Sequence, residues 1–163
     1  MDIEKTYIKS PVGTIEISGS EAGIRSILFL DYDIETRPIP VCLNNCVSQL
    51  NEYFDGKRKQ FDLKLDPRGT DFQLGVWEQL QLIPFGETIS YLTLARMTGN
   101  LNNTRAVGNA NGRNKLNIVI PCHRVIGSNG KLTGYGGGLW RKEFLLKFEM
   151  GNRMPGLFAG QEL

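Results

Sequence analysis

The first 54 residues show two patterns of hydrophobic and polar positions, one typical of strands and one typical of a helix. Residues 5–9, 14–18 and 24–30 alternate between hydrophobic and polar side chains, and short turns that contain Gly, Pro or Ser separate them. Hydrophobic residues then follow a helical repeat over Val41–Phe54. The sequence therefore predicts a β-rich N-terminal lobe with one helix.

A boundary between two domains is expected at residues 66–69, where Asp-Pro-Arg-Gly forms a polar linker. Residues 61–65, just before it, are expected to form the last strand of the first lobe. The length of 163 residues suits about one domain with a small second lobe. We therefore divide the chain into an N-terminal lobe at 1–69, a C-terminal domain at 70–150 and an aperiodic tail at 151–163.

The C-terminal domain is predicted to begin with a helix that runs to about Gln81. Thr70 is a suitable N-cap, and Gln73 completes a capping box with it. Four residues of this helix are expected in the core: Phe72, Val76, Trp77 and Leu80.

Two further short helices are predicted at Tyr91–Met97, after the N-cap Ser90, and at residues 104–114. Joined by a short polar turn, they resemble a helix-turn-helix, although pairs of short helices are often only packing units. An apolar helix at Leu139–Phe148 follows. The fold class expected is therefore α/β (α+β), with a β-rich lobe followed by a mainly helical domain.

The distribution of charge favours a polyanionic partner. The net charge is only +2, but residues 71–163 contain ten Lys and Arg against six Asp and Glu. No acidic residue lies between Thr88 and Lys142, although this window holds eight Lys and Arg. A mildly basic solvated face would explain the pattern, but a surface that binds nucleic acid explains it better.

The three cysteines are too few for a disulfide framework and favour a reducing, cytoplasmic setting. The chain has no hydrophobic run long enough for a signal sequence or a membrane span, so no membrane partner is expected. Cys42 and Cys46 are four residues apart on one helical face. A zinc ion would need two more ligands and the chain has one histidine, so we expect core packing and no metal.

That single histidine, His123, directly follows Cys122. A short strand that ends in a turn with an inert buried cysteine is the simplest interpretation. The chemical alternative is a thiolate generated by an imidazole base. Neighbours in a strand point to opposite faces, so the chain must turn at Pro121 if the two side chains, or a bridging water, are to meet. Glu149 is the candidate acceptor for the second ring nitrogen.

Several longer stretches surround these residues: YFDGKRKQF, PFGETISYLTLA, RAVGNANGRN, IVIPCHRVIG and GYGGGLWRKEFLLKFE. Together they closely resemble the O6-alkylguanine-DNA alkyltransferases, from about Lys5 to Glu149 and most strongly from Phe72 onward. The resemblance implies a ribonuclease-H-like first lobe and a DNA-binding second domain. It also implies irreversible transfer of an alkyl group from O6 of guanine in DNA, and from O4 of thymine, to a cysteine. No cofactor is implied, and we expect a monomer.

The resemblance implies a chemical role for five residues. Cys122 would accept the alkyl group, His123 would act through a water as its base, and Glu149 would hold His123. Tyr91 would donate to guanine N3 as the base leaves, and Asn114 would bond the backbone of the turn that carries the thiol.

The remaining implied contacts are with double-stranded DNA. Arg105 would fill the gap left by a flipped-out guanine, and the helix from Thr104 would lie in the minor groove. Tyr135 and Gly136 would form a wall over the alkyl group. The other substrate-binding residues expected are Ala106, Gly108, Arg124 and Lys142.

Two positions depart from the pattern of the family. Lys115 stands where proline is common, which is expected to loosen the turn near Asn114. Gly136 stands where some members have serine, which is expected to widen the alkyl pocket. The zinc ligands that some members carry in the first lobe are missing.

Three other functions are compatible with parts of the sequence. A non-catalytic binder of alkylated bases would lack the reactive cysteine, whereas Cys122 is present. A cysteine hydrolase would need an oxyanion hole. A helix-turn-helix regulator would explain the basic window but not Cys122 and His123 together with Glu149 and Tyr91.

Overall fold

Three strands form an antiparallel sheet in chain order: β1 (Glu4–Ser10), β2 (Gly13–Ser20) and β3 (Gly23–Leu30). The computed structural model describes residues 2–152. Gly13 and Gly23 begin their strands with φ angles of 95° and 136°, which a residue with a Cβ rarely adopts. The predicted alternation buries one face of the sheet through Ile8, Ile15, Ile17, Ile24 and Ile27.

The helical repeat at 41–54 is a 3-10 turn over its first three residues and then the helix α1 (Asn44–Phe54). The predicted strand at 61–65 is wrong, because only Leu65 pairs with the sheet, in a single bridge to Ile24. The buried amide of Gln49 explains the difference. It donates to Asp62 O at 2.9 Å and accepts from Asp62 N at 2.9 Å, so a side chain takes the place of a neighbouring strand.

The structure separates into two units, residues 2–68 with Lys115–Val119, and Gly69–Asn114 with residues 120–152. The sequence did not predict that 115–119 belongs to the first unit. Ile27 N donates to Lys115 O at 2.8 Å, and Asn117 Nδ2 donates to Ile27 O at 2.9 Å. These bonds hold the backbone at Lys115, and the looser turn expected near Asn114 stays a prediction.

The second unit begins with α2 (Asp71–Leu80), and its predicted capping box is confirmed. Gln73 N donates to Thr70 Oγ1 at 3.1 Å, and Thr70 N donates to Gln73 Oε1 at 3.0 Å. Phe72 is 37% exposed, so its expected place in the core is wrong. The buried Trp77 of α2 donates from Nε1 to Ala110 O at 2.9 Å, which joins α2 to the later helix that contains Ala110. Val76 and Leu80 are buried as predicted.

Two short helices follow, α3 (Tyr91–Thr98), which ends at Gly99, and α4 (Thr104–Gly112). Helix α4 is two residues shorter than predicted. The two-residue strands β4 (Ile89–Ser90) and β5 (Val125–Ile126) pair in parallel and bring the start of α3 beside the cysteine turn.

The last described helix is α5 (Leu139–Asn152), which extends past the predicted end at Phe148. Glu149 therefore lies inside a helix and not at its end. Gly151 and Asn152, the first two residues of the predicted tail, belong to α5, and the rest of that tail lies outside the described residues.

Candidate active site

The chain turns sharply at Pro121, as the chemical interpretation requires. Cys122 N donates to Ile120 O at 2.8 Å, and Arg124 N donates to Pro121 O at 3.0 Å, which closes a 3-10 turn over Cys122–Arg124. The simpler expectation of a strand before the proline is wrong, because Ile118 has a φ of 72° and residues 117–119 form a turn.

Two asparagines at the end of α4 hold the cysteine. Asn114 Nδ2 donates to Ile120 O at 2.8 Å and to Cys122 Sγ at 3.2 Å. Asn114 therefore bonds the backbone of the turn, as expected, and also the thiol itself. Asn111, which the sequence did not single out, donates from Nδ2 to Cys122 O at 3.5 Å. Its position three residues before Asn114, one turn earlier on the helix predicted at 104–114, was the signal available in the sequence.

The Cys122 thiol is in its protonated form at neutral pH. Burial raises its pKa to about 11, and the hydrogen bond from Asn114 and the charge of Lys142 lower that pKa by less than burial raises it. Only 4% of Cys122 is exposed. A nucleophilic role therefore requires a base that takes the thiol proton.

A buried network of His123, Glu149 and Arg124 lies beside the thiol turn. His123 Nε2–H donates to Glu149 Oε2 at 2.8 Å. Arg124 binds the same carboxylate in a bidentate manner, from Nε to Oε1 at 2.7 Å and from Nη2 to Oε2 at 3.0 Å. Its Nη1 donates to Ile83 O at 2.7 Å, and Gly86 N donates to Glu149 Oε1 at 3.3 Å.

This network keeps Glu149 ionised. Burial alone would raise the pKa of this carboxyl, but His123, through its hydrogen bond and through its charge when it is protonated, and Arg124, through its hydrogen bonds and its charge, hold that pKa well below its ordinary value. Because the carboxylate accepts at Nε2, the neutral imidazole has its lone pair on Nδ1. Nδ1 is buried and has no hydrogen-bond partner among residues 2–152. In that tautomer Nδ1 is the acceptor nitrogen of the ring.

The substrate contact expected for Arg124 does not fit this placement, because its guanidinium points inward to Glu149 and Ile83. Lys142, also expected to bind substrate, is likewise fully buried. Arg141 is buried as well, so three of the eight Lys and Arg residues in the acid-free window are buried. The exposed cations of the window are Arg96, Arg105, Arg113, Lys115 and Lys131.

Tyr91, at the first position of α3, is half-buried and packs against α4. Its hydroxyl donates to Thr133 O at 3.2 Å and accepts from Lys142 Nζ at 3.5 Å. A Cβ added at Gly108 would lie 3.4 Å from the Tyr91 ring. The small residue at 108, expected to contact DNA, therefore lies against the tyrosine ring.

The rest of α4 presents a small, polar surface. Arg105, Asn109 and Gly112 are exposed and Ala106 is half-buried, whereas Ala110 is buried. The exposed face is compatible with close approach to a groove.

The loop at 133–138 lies close to the thiol. Tyr135 is half-buried with a buried hydroxyl, and its pKa is raised well above the ordinary value by burial and then by the nearby Cys122. A Cβ added at Gly136 would find only Gly112 O, at 3.9 Å. Gly136 is exposed with open space beside it, and the wider alkyl pocket expected here stays a prediction.

The other two cysteines belong to the first unit, whereas the one histidine of the chain belongs to the second. Cys46 is fully buried, which raises its pKa to about 12, and burial also raises the pKa of Cys42. Residues 2–152 contain no cluster of three His, Cys, Asp or Glu side chains that could hold a metal ion. Within the same residues, no helix has the length and apolar composition to cross a membrane.

Comparison with known families covers both units. The profile described as "6-O-methylguanine DNA methyltransferase, DNA binding domain" matches residues 71–151, and that of the ribonuclease-like domain of the same enzyme matches residues 3–67. The chain belongs to the 6-O-methylguanine DNA methyltransferase family. The ribonuclease-like first lobe implied by the sequence resemblance fits this finding.

Members of the family from distant organisms align over most of the chain. The methylated-DNA–protein-cysteine methyltransferase of Mycobacterium tuberculosis H37Rv is 46% identical over 147 residues, which covers 87% of this chain and 89% of the relative. That of Methanosarcina barkeri is 48% identical over 155 residues, covering 89% and 96%.

Solved structures of the family agree in fold. The M. tuberculosis O6-methylguanine methyltransferase superposes with a TM-score of 0.85 at 43% identity, covering 97% of this chain and 98% of that one. The M. tuberculosis protein in complex with DNA gives a TM-score of 0.82 at 46% identity, covering 90% and 92%. The mixed fold with a three-stranded sheet and a helical second unit is therefore confirmed.

Proposed function

We propose that this protein repairs alkylated DNA by direct reversal, with Cys122 as the residue that takes up the alkyl group from O6 of guanine. The observation that carries the proposal is the buried hydrogen bond between His123 Nε2 and Glu149 Oε2, which are 2.8 Å apart. His123 directly follows the buried thiol of Cys122. It supplies the base that a thiol with a raised pKa needs.

The reaction is a displacement at the alkyl carbon. The Sγ–H proton passes through a water to Nδ1 of His123, and the Sγ lone pair forms the new S–C bond. The C–O6 bond breaks, its electron pair stays on guanine, and the Tyr91 hydroxyl donates a proton to N3. Glu149 stabilises the imidazolium that forms, and Asn114 holds Sγ in place.

Access to the lesion would come from base flipping. The exposed Arg105 on α4 fills the gap in the stack, while the small exposed residues of that helix lie in the minor groove. The target base enters between Tyr91 and the loop that carries Tyr135 and Gly136. The protein acts once per molecule, as a cytoplasmic monomer, and accepts O4-alkylthymine as a second lesion.

Intact-mass analysis after mixing with a duplex that contains O6-methylguanine tests the proposal. We expect a gain of one methyl group per protein, located on Cys122 by peptide mapping. Cys122→Ser should bind DNA and gain nothing, because a hydroxyl is a poor nucleophile at neutral pH. Cys42→Ser is the matched control and should react like the unaltered protein.

Two outcomes would contradict the assignment. A methyl group found on Cys42 or Cys46 would move the acceptor to the first unit. Tight binding of the alkylated duplex with no mass change at any cysteine would make the protein a lesion binder without transferase chemistry.

A further inference from the structure

The side-chain amide of Asn111, on α4, is hydrogen-bonded at one end only. Nδ2 donates to Cys122 O at 3.5 Å. Oδ1 is buried, and it has no hydrogen-bond partner among residues 2–152. The orientation of the amide follows from Cys122 O, because a carbonyl oxygen accepts hydrogen bonds and has no proton to donate to Oδ1. Asn111 therefore holds a buried acceptor beside the residue that carries the thiol.

A buried acceptor without a donor costs free energy, so each one in a folded protein calls for an explanation. Among residues 2–152, His123 Nδ1 is another buried atom of this kind, and the proposed function uses it to take up the thiol proton. Thr6 Oγ1 belongs to the first unit and has no relation to the thiol. Asn111 Oδ1 lies beside the proposed nucleophile, which makes the target base a natural source of its donor.

The burial of Asn111 does not separate it from a substrate that reaches the thiol. Asn111 and Cys122 are each 4% exposed. The proposed transfer requires that the base approach Cys122 Sγ, and the Asn111 amide is bonded to the carbonyl of the same residue. The amide is therefore among the groups close to a base that is placed for transfer.

Asn111 also lies on the face of α4 that packs against Tyr91. A Cβ added at Gly108 would be 3.4 Å from the Tyr91 ring, and Asn111 follows Gly108 by three residues. Positions three residues apart lie on one face of a helix, with Cβ atoms about 5–6 Å apart. The Tyr91 ring and the Asn111 amide are therefore neighbours on one side of the site.

The two alkylated bases differ in what they can donate to such an acceptor. In O6-alkylguanine the alkyl group removes the N1 proton, so the exocyclic N2 amine is the one N–H donor of the base. That amine is attached to C2, next to N3, the atom that receives a proton from Tyr91 in the proposed reaction. O4-alkylthymine has no N–H group, because alkylation removes the N3 proton and N1 carries the sugar. An acceptor near Tyr91 therefore has a partner in the guanine lesion and none in the thymine lesion.

We propose that Asn111 Oδ1 accepts a hydrogen bond from the N2 amine of the flipped-out guanine, so that Asn111 selects O6-alkylguanine over O4-alkylthymine. The inference rests on the proposed function. In the complex the amide is bonded at both ends, with Nδ2 on Cys122 O and Oδ1 on the N2 amine. O4-alkylthymine still reacts, but it leaves Oδ1 without a donor and is the poorer substrate for that reason.

A role confined to the protein would use only the other end of the amide. The bond from Asn111 Nδ2 to Cys122 O would then hold the thiol turn, as Asn114 does through Ile120 O. Such a role affects transfer from every base alike. Recognition of N2 affects only a base that carries the amine, so removal of the amine from the substrate separates the two roles.

The experiment combines two substrates with the unaltered protein and its variants. The substrates are matched duplexes that contain O6-methylguanine or O6-methylhypoxanthine, which lacks only the N2 amine. Asn111→Leu replaces the amide by an apolar side chain of similar size. Asn111→Ala is a smaller replacement, so the result does not depend on how well leucine packs. Single-turnover methyl transfer gives one rate constant for each pair of protein and substrate.

The informative quantity is the rate constant for O6-methylguanine divided by that for O6-methylhypoxanthine. This ratio cancels between proteins any effect of the amine on pairing within the duplex. We expect it to be about tenfold lower in Asn111→Leu and Asn111→Ala than in the unaltered protein, since one buried hydrogen bond is lost. The preference for O6-methylguanine over O4-methylthymine should fall by a similar factor. Asn109→Leu, on the exposed face of the same helix, is the matched control and should keep both ratios, whatever it does to DNA affinity.

The inference fails if the ratio is the same in the unaltered protein and in both variants of Asn111. Equal slowing on both substrates would then leave Asn111 only its bond to Cys122 O. Loss of the ratio in Asn109→Leu as well would make the change a general effect of substitutions in α4. Failure of the proposed function is distinct, because the unaltered protein would then take up no methyl group at Cys122 from either substrate.

Discussion

Arg124→Met tests whether the buried carboxylate network supports the second unit. Arg124 donates to both oxygens of Glu149, at 2.7 and 3.0 Å, and to Ile83 O at 2.7 Å. Methionine is close in length but donates no hydrogen bond. The substitution therefore leaves Glu149, which is 1% exposed, with His123 and Gly86 N as its partners.

The expected loss of stability is large for one side chain. Removing one partner of a buried ion pair costs about 3–5 kcal/mol, because the other charge stays buried. The Ile83 carbonyl loses a donor as well, but the two effects overlap and are not added. We expect the free energy of unfolding to fall by about 3–5 kcal/mol, a large part of the roughly 5–15 kcal/mol typical of a domain. The unfolding midpoint should fall by roughly 6–20 °C.

Tryptophan fluorescence reports this change selectively. The chain has two tryptophans, Trp77 and Trp140, and both lie in the second unit. Unfolding in urea, followed by their emission, gives the free energy of unfolding of that unit. Arg113→Met is the control, because Arg113 is exposed and its loss should change stability by no more than about 0.5 kcal/mol. The double variant Arg124→Met/Glu149→Leu removes both charges and should be more stable than the sum of the single effects predicts.

Three results would refute this reasoning. A loss below about 1 kcal/mol in Arg124→Met would show that the pair is not needed for stability. Additive effects in the double variant would show that the two side chains do not interact. Unchanged stability with a weaker salt dependence of DNA binding would restore the expectation, drawn from the sequence, that Arg124 contacts DNA.

Two further predictions concern pH and DNA. Because the pKa of Glu149 is lowered in the folded protein, its ionised form stabilises the fold at pH values above the ordinary pKa of about 4.3. The free energy of unfolding, measured by tryptophan fluorescence, should therefore decline as the pH falls below about 4.3. The Arg124→Met/Glu149→Leu variant should show a smaller decline. Arg105→Ala should slow transfer on duplex DNA by roughly 10- to 1,000-fold but far less on single strands, and equal slowing on both would make Arg105 a phosphate contact.

The sequence predicted elements whose signals are local. Alternation with Gly-containing turns located the three strands of the sheet, and the pair Thr70 and Gln73 located the start of α2. Prediction from the sequence failed where the backbone of a segment is hydrogen-bonded by a side chain or strand that is distant in the sequence. Gln49 satisfies Asp62 where a strand was expected, and residues 115–119 join the first unit through Ile27.

The reacting side chains were easier to predict than the charges that support them. Cys122 and His123 could be chosen because the chain has three cysteines and one histidine, and Glu149 because it ends the predicted last helix and is one of six acidic residues in 71–163. Arg124 and Lys142 were counted with the surface cations, since a run of cations in the sequence does not show which side chains fold inward. Their burial depends on tertiary partners, Glu149 for the first and the loop carbonyls for the second.

The buried cation Arg124 supports the base of the proposed reaction. Arg124 neutralises Glu149 in the resting site, so the carboxylate can remain ionised while His123 gains the thiol proton. Proton exchange with solvent can restore the neutral forms of His123 and Tyr91 after transfer. It cannot restore Cys122, because a thioether has no proton to lose and its S–C bond is not a target for any base in this site. On this mechanism, proton exchange resets every group except the sulfur, and the protein is therefore used once.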